Sequence, residues 1–254
     1  MGSGPRSLSL RPRSWLGIGV PSGRRSFGSI SPARLRPRHD GSVELGLYVV
    51  TAAGMVPGRT HLDVGLAAVE GGANVVQLRA RGDLSAGALQ ETARRLAEAC
   101  AAAGVVFVVN DDVETARMVG AGLHVGQDAD ARLARRLLGG GAVLGVSVAT
   151  REEARKAADA GADYVAVTVW ATPTKPEAVP YGLEGVRDIA AGTSVPVVGI
   201  GGIDASNASV VLAAGAAGIA VISAVAAAGD PVAATQELAE VVRTFRGGAT
   251  PAGR

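Results

Sequence analysis

Basic, amide and acidic side chains follow two short apolar segments of the chain in an order that suits a phosphate-bearing ligand. Gln77, Arg79 and Arg81 stand at alternate positions, so a strand continuing through them would present all three on one side. Asn110 and Asp111 directly follow the next apolar segment. Arginine forms charge-assisted hydrogen bonds with phosphate oxygens, and carboxylate oxygen is a preferred ligand of Mg²⁺. These residues predict a magnesium-dependent enzyme that handles a diphosphate.

Later segments add candidates for the metal and for a second phosphate. Asp128 and Asp130 follow the sequence GLHVGQ, and one of them would supply a second carboxylate for the metal. Gly201 and Gly202 would let backbone N–H groups approach a phosphate, with Asp204 opening a helix. The remaining candidates also follow apolar segments, and they are Gln127, Ser147, Thr172, Thr174, Lys175 and Ser223.

Three nearby residues have a structural explanation instead. Asp112 precedes a helical segment, where an aspartate caps the first turn. His124 stands among apolar residues and is expected to be a hydrogen-bonded core histidine. Cys100, the single cysteine, lies in an apolar run and is expected to be a buried core residue rather than a reactive thiol.

Eight short apolar segments alternate with eight helical segments between residues 45 and 246. Continuous apolar strands are typical of parallel sheets that are buried on both faces. The alternation predicts a single-domain (β/α)8 TIM barrel, whose catalytic residues lie at the carboxyl ends of the strands. A doubly wound open sheet is the alternative, but no Gly-x-Gly-x-x-Gly turn follows the first segment.

Residues 1–44 differ from the rest of the chain in composition. Residues 1–40 contain eight arginines and a single acid, without helical or strand periodicity. We expect 1–44 to be a disordered tail, either an idle extension or an organellar transit peptide, and 247–254 to be a flexible C-terminus. The remaining chain is mildly acidic and the whole is 3% aromatic, which argues against a nucleic-acid-binding protein.

The chain has neither a run of apolar residues long enough to span a membrane nor a second cysteine for an internal disulfide. We therefore expect a cytoplasmic location, or an organelle if the tail is a transit peptide. The expected partners are small-molecule substrates, without nucleic acid or membrane, and a homo-oligomer is left open.

Seven motifs resemble the thiamine-phosphate synthase family, over about residues 45–246. The resemblance implies a Mg²⁺-dependent transferase that joins hydroxymethylpyrimidine diphosphate to thiazole phosphate, giving thiamine phosphate and diphosphate. The motifs, in chain order, are QLRAR (77–81), VNDD (109–112), HVGQ (124–127), GVS (145–147), TPTK (172–175), VGIGGI (198–203) and VISA (221–224).

The resemblance also implies a role for each candidate. Lys175, Arg79 and Ser147 would be catalytic, and Arg81 would help to neutralise the departing diphosphate. Asp111 and Asp128 would hold the Mg²⁺. The remaining roles are in substrate binding: Gln77 and Ser147 for the pyrimidine, Asn110 for the diphosphate, and Thr172, Thr174, Gly201, Gly202, Ile222 and Ser223 for the thiazole phosphate.

Three positions depart from the family pattern. Arg81 replaces the usual lysine, and Ala129 stands where the family has an acid, so either Asp128 or Asp130 would take the metal role. The segment before TPTK is one residue shorter than in the family. Two alternatives stay open: a thiazole tautomerase-like relative, although the histidine expected after Ser147 is absent, and a non-catalytic binder of thiazole or thiamine phosphates.

Overall fold

The computed structural model describes residues 44–172 and 179–248 of the chain. Apart from Glu44, the predicted N-terminal tail lies outside these residues, and so do residues 249–254 of the predicted C-terminal segment. Within the described part, strands and helices alternate, and two helices follow the last strand.

The strands are four or five residues long, and each lies within one of the eight predicted apolar segments. Short apolar strands suit this position because one face of the sheet is covered by helices and the other faces a closed interior. The strands are β1 (Gly46–Val50), β2 (Val75–Leu78), β3 (Val106–Asn110), β4 (Gly122–Val125), β5 (Leu144–Val148), β6 (Tyr164–Thr168), β7 (Val197–Ile200) and β8 (Gly218–Val221).

The helices begin and end at capping residues that the local sequence supplies. Thr60 and Thr150 open their helices with capping boxes, and Gly104 closes a helix in the left-handed conformation. The helices are α1 (His61–Glu70), α2 (Ala86–Ala103), α3 (Val113–Val119), α4 (Ala131–Leu138), α5 (Arg151–Asp159), α6 (Gly182–Gly192), α7 (Ala208–Ala213), α8 (Ser223–Ala226) and α9 (Pro231–Gly248).

All eight strands pair in parallel and in chain order, and β8 pairs with β1 to close the barrel. The predicted (β/α)8 barrel is therefore confirmed, and the open-sheet alternative is wrong. Closure brings the carboxyl ends of all eight strands to one mouth. No helix within residues 44–172 and 179–248 has the length and apolar character needed to cross a bilayer.

Two helices differ from the prediction near the mouth. Asp204 does not open α7, because residues 204–207 form a turn in which Asp204 accepts a hydrogen bond from the Ser206 N–H, and α7 begins at Ala208. Ser223 does not end a strand but begins the short helix α8, which the apolar run hid from the sequence pattern. Helix α9 continues to Gly248, two residues past the predicted end of the barrel.

The core divides into two regions, as expected for a barrel. The larger region lies between the strands and the helices and includes Cys100, whose thiol is fully buried, as predicted. Burial raises the pKa of that thiol to about 12, so it stays protonated and unreactive at neutral pH. The smaller region fills the barrel interior, and its largest members are Tyr48 and Tyr164.

Gly145 in β5 makes room for one of these tyrosines. A Cβ at this position would lie 2.1 Å from a ring carbon of Tyr164 and 2.3 Å from its hydroxyl oxygen. Such distances are far below van der Waals contact, so any side chain here would displace the Tyr164 ring. The glycine of the GVS motif is therefore required by the interior packing.

We expect Gly145→Ala to lower the free energy of unfolding by about 1–3 kcal/mol, because overpacking a filled interior forces the ring to move. The matched control is Gly87→Ala in α2, where a Cβ meets nothing within 4 Å. That change is expected to stabilise the protein by up to about 1 kcal/mol. Urea unfolding would measure both, and equal effects would contradict the packing argument.

Candidate active site

A cavity of about 1020 Å³ opens at the carboxyl ends of the strands. It collects side chains from strands that are far apart in the chain, which is the position where such barrels carry their chemistry. The predicted residues that line it are Gln77, Arg79, Arg81, Asn110, Asp111, Gln127, Asp128, Asp130, Ser147, Thr172, Gly201, Gly202, Ile222 and Ser223. Thr174 and Lys175 lie outside the described residues.

A chain of hydrogen bonds crosses the floor of this cavity. The Gln77 Nε2 donates to the Tyr48 hydroxyl at 2.6 Å, and the Tyr48 and Tyr164 hydroxyls are 2.8 Å apart. Tyr164 then contacts Nδ1 of His124 at 3.0 Å, and Nε2 of His124 lies 3.0 Å from the Ser147 Oγ. The chain thus joins β2, β1, β6, β4 and β5, and we call it the floor relay.

One proton arrangement satisfies every bond of the floor relay. Each hydroxyl donates to the next group, so that Nδ1 of His124 accepts and its Nε2–H donates to Ser147. The Ser147 hydroxyl proton then remains for an acceptor in the cavity. His124 is a hydrogen-bonded interior histidine, 7% exposed, as the sequence predicted, and it fixes the direction in which Ser147 donates.

Burial keeps both phenols of the floor relay protonated. It raises the pKa of Tyr48 well above the usual range, against smaller lowering effects of the hydrogen bonds with Tyr164 and Gln77. Burial also raises the pKa of Tyr164, and the nearby Tyr48 adds to that shift. At neutral pH neither ring becomes a phenolate, so the floor relay acts by orienting groups rather than by carrying charge.

Sequence reasoning missed Tyr48 and Tyr164. Both occur inside apolar strand segments, where a tyrosine is ordinarily a core residue. The signal that could have found them was their position: Tyr48 and Tyr164 are two of only three tyrosines in the chain, and each stands where a strand turns a residue inward. Period-two alternation within each strand would have placed them in the barrel interior.

Asp111 adopts a strained backbone conformation at the mouth. Its φ is +61°, which makes it the one non-glycine residue with positive φ among the described residues. Its N–H donates to the His124 carbonyl at 2.9 Å, and its carboxylate accepts from the Asn110 side chain at 2.6 Å. Strain of this kind is concentrated at functional sites, where it aims a side chain. The next residue, Asp112, caps α3, as predicted.

The two acids of the β4 loop have different surroundings. Asp130 caps α4 by accepting a hydrogen bond from the Leu133 N–H at 3.0 Å, whereas Asp128 stands in the exposed turn before it. Within residues 44–172 and 179–248, no three His, Cys, Asp or Glu side chains lie close enough together to hold a metal ion by themselves. Asp111 and Asp128 are two hard carboxylates, which fits Mg²⁺ completed by substrate oxygens and water.

Glycines shape the opposite side of the mouth. Gly201 has φ +97°, and a Cβ there would lie 2.7 Å from the Trp170 carbonyl oxygen. The β7 loop therefore passes close to the end of β6 only because position 201 is glycine. Thr172 and Ser223 follow β6 and β8, the strands on either side of β7, and both residues line the same cavity.

Comparisons with known proteins point to one family. The chain matches the family model described as thiamine monophosphate synthase over residues 47–225. It is 47% identical to the thiamine-phosphate synthase of Moorella thermoacetica over 205 residues, which are 79% of this chain and 97% of that protein. It is also 48% identical to the thiamine-phosphate synthase of Chloroflexus aurantiacus over 204 residues, 79% of this chain and 94% of that one.

A solved structure supports the same relationship. The thiamine phosphate pyrophosphorylase from Pyrococcus furiosus is 36% identical and superposes with a TM-score of 0.73, covering 80% of this chain and 97% of that one. The range that the family model matches includes every candidate residue, from Gln77 to Ser223.

We expect Asp111→Gly to be more stable than Asp111→Ala by about 1–2 kcal/mol, since the left-handed backbone costs that much for a residue with a Cβ. The control is Arg95 in the exposed face of α2, where the order should reverse and Gly should cost about 1 kcal/mol relative to Ala. Urea unfolding of the four variants would test this. The same order of Gly and Ala at both positions would show that residue 111 is not strained.

Proposed function

Because the chain belongs to the thiamine monophosphate synthase family, we propose that it joins hydroxymethylpyrimidine diphosphate to a thiazole phosphate, with release of diphosphate. It is a transferase of thiamine biosynthesis. The observation that carries the choice of substrates is the cavity itself. It brings together arginines and acids for a diphosphate and the floor relay for a heterocycle. It also includes Gly201 and Gly202, which we call the glycine corner, for a monophosphate.

The floor relay supplies the pyrimidine subsite. Ser147 receives its hydrogen bond from His124 and keeps its own proton for the ligand, so it presents a donor in a fixed direction. Gln77 is 4% exposed and donates one amide N–H to the Tyr48 hydroxyl. This bond fixes the orientation of the Gln77 amide. A donor and an amide held in this way suit the ring nitrogens and amino group of a pyrimidine.

The diphosphate subsite lies between β2 and β3. Arg79 and Arg81 line the cavity on one side, with Asn110 on the other, and these groups would bind the diphosphate oxygens. Lys175 would add a third cation from the β6 loop. Such donors bind more strongly as negative charge grows on the leaving group. They therefore lower the reaction barrier mainly by binding the departing diphosphate.

Asp111 and Asp128 would hold the Mg²⁺ together with diphosphate oxygens. When bound, the ion neutralises charge on the leaving group and fixes its geometry. The strained backbone of Asp111 aims its carboxylate, and the Asn110 amide steadies it. Because Asp130 is committed to capping α4, Asp128 is the better candidate for the second ligand.

The thiazole phosphate would bind at the glycine corner. Its partners would be the hydroxyls of the β6 loop, at Thr172 and Thr174, and backbone N–H groups at positions 201, 202, 222 and 223. The Val225 and Ala226 N–H groups of α8 donate to the Ile222 carbonyl, so the earlier N–H groups, at Ser223 and Ala224, are those that helix geometry leaves for a ligand. Placing this phosphate across the mouth from the arginines would hold the thiazole ring between the two subsites.

The reaction balances without a redox partner. The bond between the pyrimidine methylene carbon and the diphosphate oxygen breaks, and its electron pair leaves with the diphosphate. The pyrimidine ring stabilises the resulting cation, and the thiazole nitrogen donates its lone pair to form the new carbon–nitrogen bond. The protein supplies charge for the leaving group and alignment for the attack.

The alternatives have less support at this site. A tautomerase needs a proton-transfer group after Ser147, but the Ala149 N–H donates to Glu153 and Thr150 caps α5, so both positions serve the helix. A non-catalytic binder would not need the strained Asp111. We place the reaction in the cytoplasm, and the free buried Cys100 agrees with a reducing compartment.

The direct test is to incubate the purified protein with both substrates and MgCl₂ and to measure thiamine phosphate by chromatography. Product formation that needs both substrates and stops with EDTA would support the proposal. Binding of either phosphate without product would favour the non-catalytic binder. Conversion of the thiazole phosphate alone would favour the tautomerase.

We expect Asp128→Ala to lower turnover at least about 10²-fold, because a ligand that neutralises the leaving group is lost. Asp130→Ala should instead cost about 1 kcal/mol of stability through the lost cap, and Asp130→Ser should retain both stability and turnover. Steady-state assays and urea unfolding would separate the two effects. A loss of activity in Asp130→Ser, with Asp128→Ala unaffected, would reverse the assignment.

A further inference from the structure

His61 is a buried titratable residue that the proposed reaction does not use. It is the first residue of α1, its side chain is 2% exposed, and it does not line the cavity. Both ring nitrogens nevertheless have partners. Nδ1 lies 2.8 Å from the Thr51 Oγ1, and Nε2 lies 2.8 Å from the Asp83 Oδ2.

Both partners of His61 also bond to the segment that carries the two arginines. The Arg79 N–H donates to the Thr51 Oγ1 at 3.3 Å, and the Arg81 N–H donates to the Asp83 Oδ1 at 3.1 Å. Thr51 is itself fixed, since its N–H donates to the Gln77 carbonyl at 2.8 Å. Thr51, His61 and Asp83 therefore form a clamp, and it holds residues 79–81 at both ends.

The clamp has a consistent polarity. The Thr51 hydroxyl accepts from the Arg79 N–H and donates to Nδ1 of His61, and the Nε2–H donates to Asp83. Burial opposes ionisation of Asp83, but the hydrogen bonds from His61 and from backbone N–H groups outweigh it and lower the pKa of Asp83. An ionised Asp83 accepts from His61 on one oxygen and from Arg81 on the other.

The clamp holds a segment whose far end is exposed to solvent. Residues 81–83 are exposed, and Gly82 has φ +91° at a position where a Cβ would meet nothing within 4 Å. Ordering a loop and two long arginine side chains at the moment of binding would cost free energy. A clamp that orders the backbone before binding reduces that cost. Residues that hydrogen-bond to metal ligands and hold them in place have the same effect.

We propose that His61 and Asp83 are positioning residues that hold the backbone of Arg79 and Arg81 for the diphosphate of the substrate. This inference rests on the proposed function, because it assigns the two arginines to the diphosphate. Neither residue touches the substrate. They act on its binding through the position of the arginine-bearing segment, and neither of them lines the cavity.

The experiment measures the dissociation constant of inorganic diphosphate with MgCl₂ by calorimetry, so that it does not depend on turnover. Asp83→Ala removes the exposed end of the clamp, and His61→Gln removes its Nδ1 contact while it keeps a donor toward Asp83. We expect the dissociation constant to rise about tenfold in Asp83→Ala and by less in His61→Gln. Turnover at saturating substrate should fall less than kcat/KM.

The matched control is Asp63→Ala, which removes the capping box in the first turn of the same helix. It should lower the melting temperature without changing the affinity for diphosphate, so it separates positioning from stability. A second control combines Asp83→Ala with Arg79→Ala in one double variant and with Arg81→Ala in another. If the clamp acts through the arginines, Asp83→Ala should cost less than about threefold in at least one of these backgrounds.

The outcomes distinguish the two proposals. Binding by the parent protein with unchanged affinity in both clamp variants would overturn this inference and leave the proposed function intact. The inference would also be overturned if Asp83→Ala still raised the dissociation constant about tenfold in both the Arg79 and the Arg81 variants. Failure of the parent protein to bind diphosphate would overturn the proposed function, and the inference would fall with it.

Discussion

The hydrogen bond between the Tyr48 and Tyr164 hydroxyls, inside the closed barrel, is the contact on which the site depends. It joins β1 and β6, which are not neighbours in the barrel, and links Gln77 to His124 and Ser147. An unpaired hydroxyl in such a place would be costly, and none of the buried side-chain nitrogens or oxygens in the described part of the chain lacks a partner. The floor relay is thus both a satisfied core and the fixed base of a ligand site.

This arrangement requires small residues where the interior would otherwise be overfilled. Gly145 admits the Tyr164 ring, and Gly201 lets the β7 loop pass the end of β6. Asp111 shows the opposite case, because it keeps a Cβ in a left-handed conformation. The closed barrel holds this strained residue in place, since its N–H is bonded to the neighbouring strand at the His124 carbonyl.

Support for the site extends beyond the cavity wall. The floor relay orients groups from below, and the clamp of Thr51, His61 and Asp83 orders the arginine-bearing segment from the side of α1. In both cases a buried histidine connects two hydroxyl or carboxylate groups and sets the direction of their protons. The chain therefore uses hydrogen bonds through two buried histidines to position the charged groups that face the ligand.

The sequence by itself determined the strands, the order of the elements, the barrel and most of the polar residues that line the mouth, because continuous apolar strands and capping residues are local signals. The tertiary structure alone decided which residues act together. Tyr48, Tyr164, His61 and Asp83 are typical core or loop residues in the sequence, and α8 is hidden in an apolar run. Tyr48 and Tyr164 lie 116 residues apart in the chain, and only closure of the barrel brings their hydroxyls within hydrogen-bond distance.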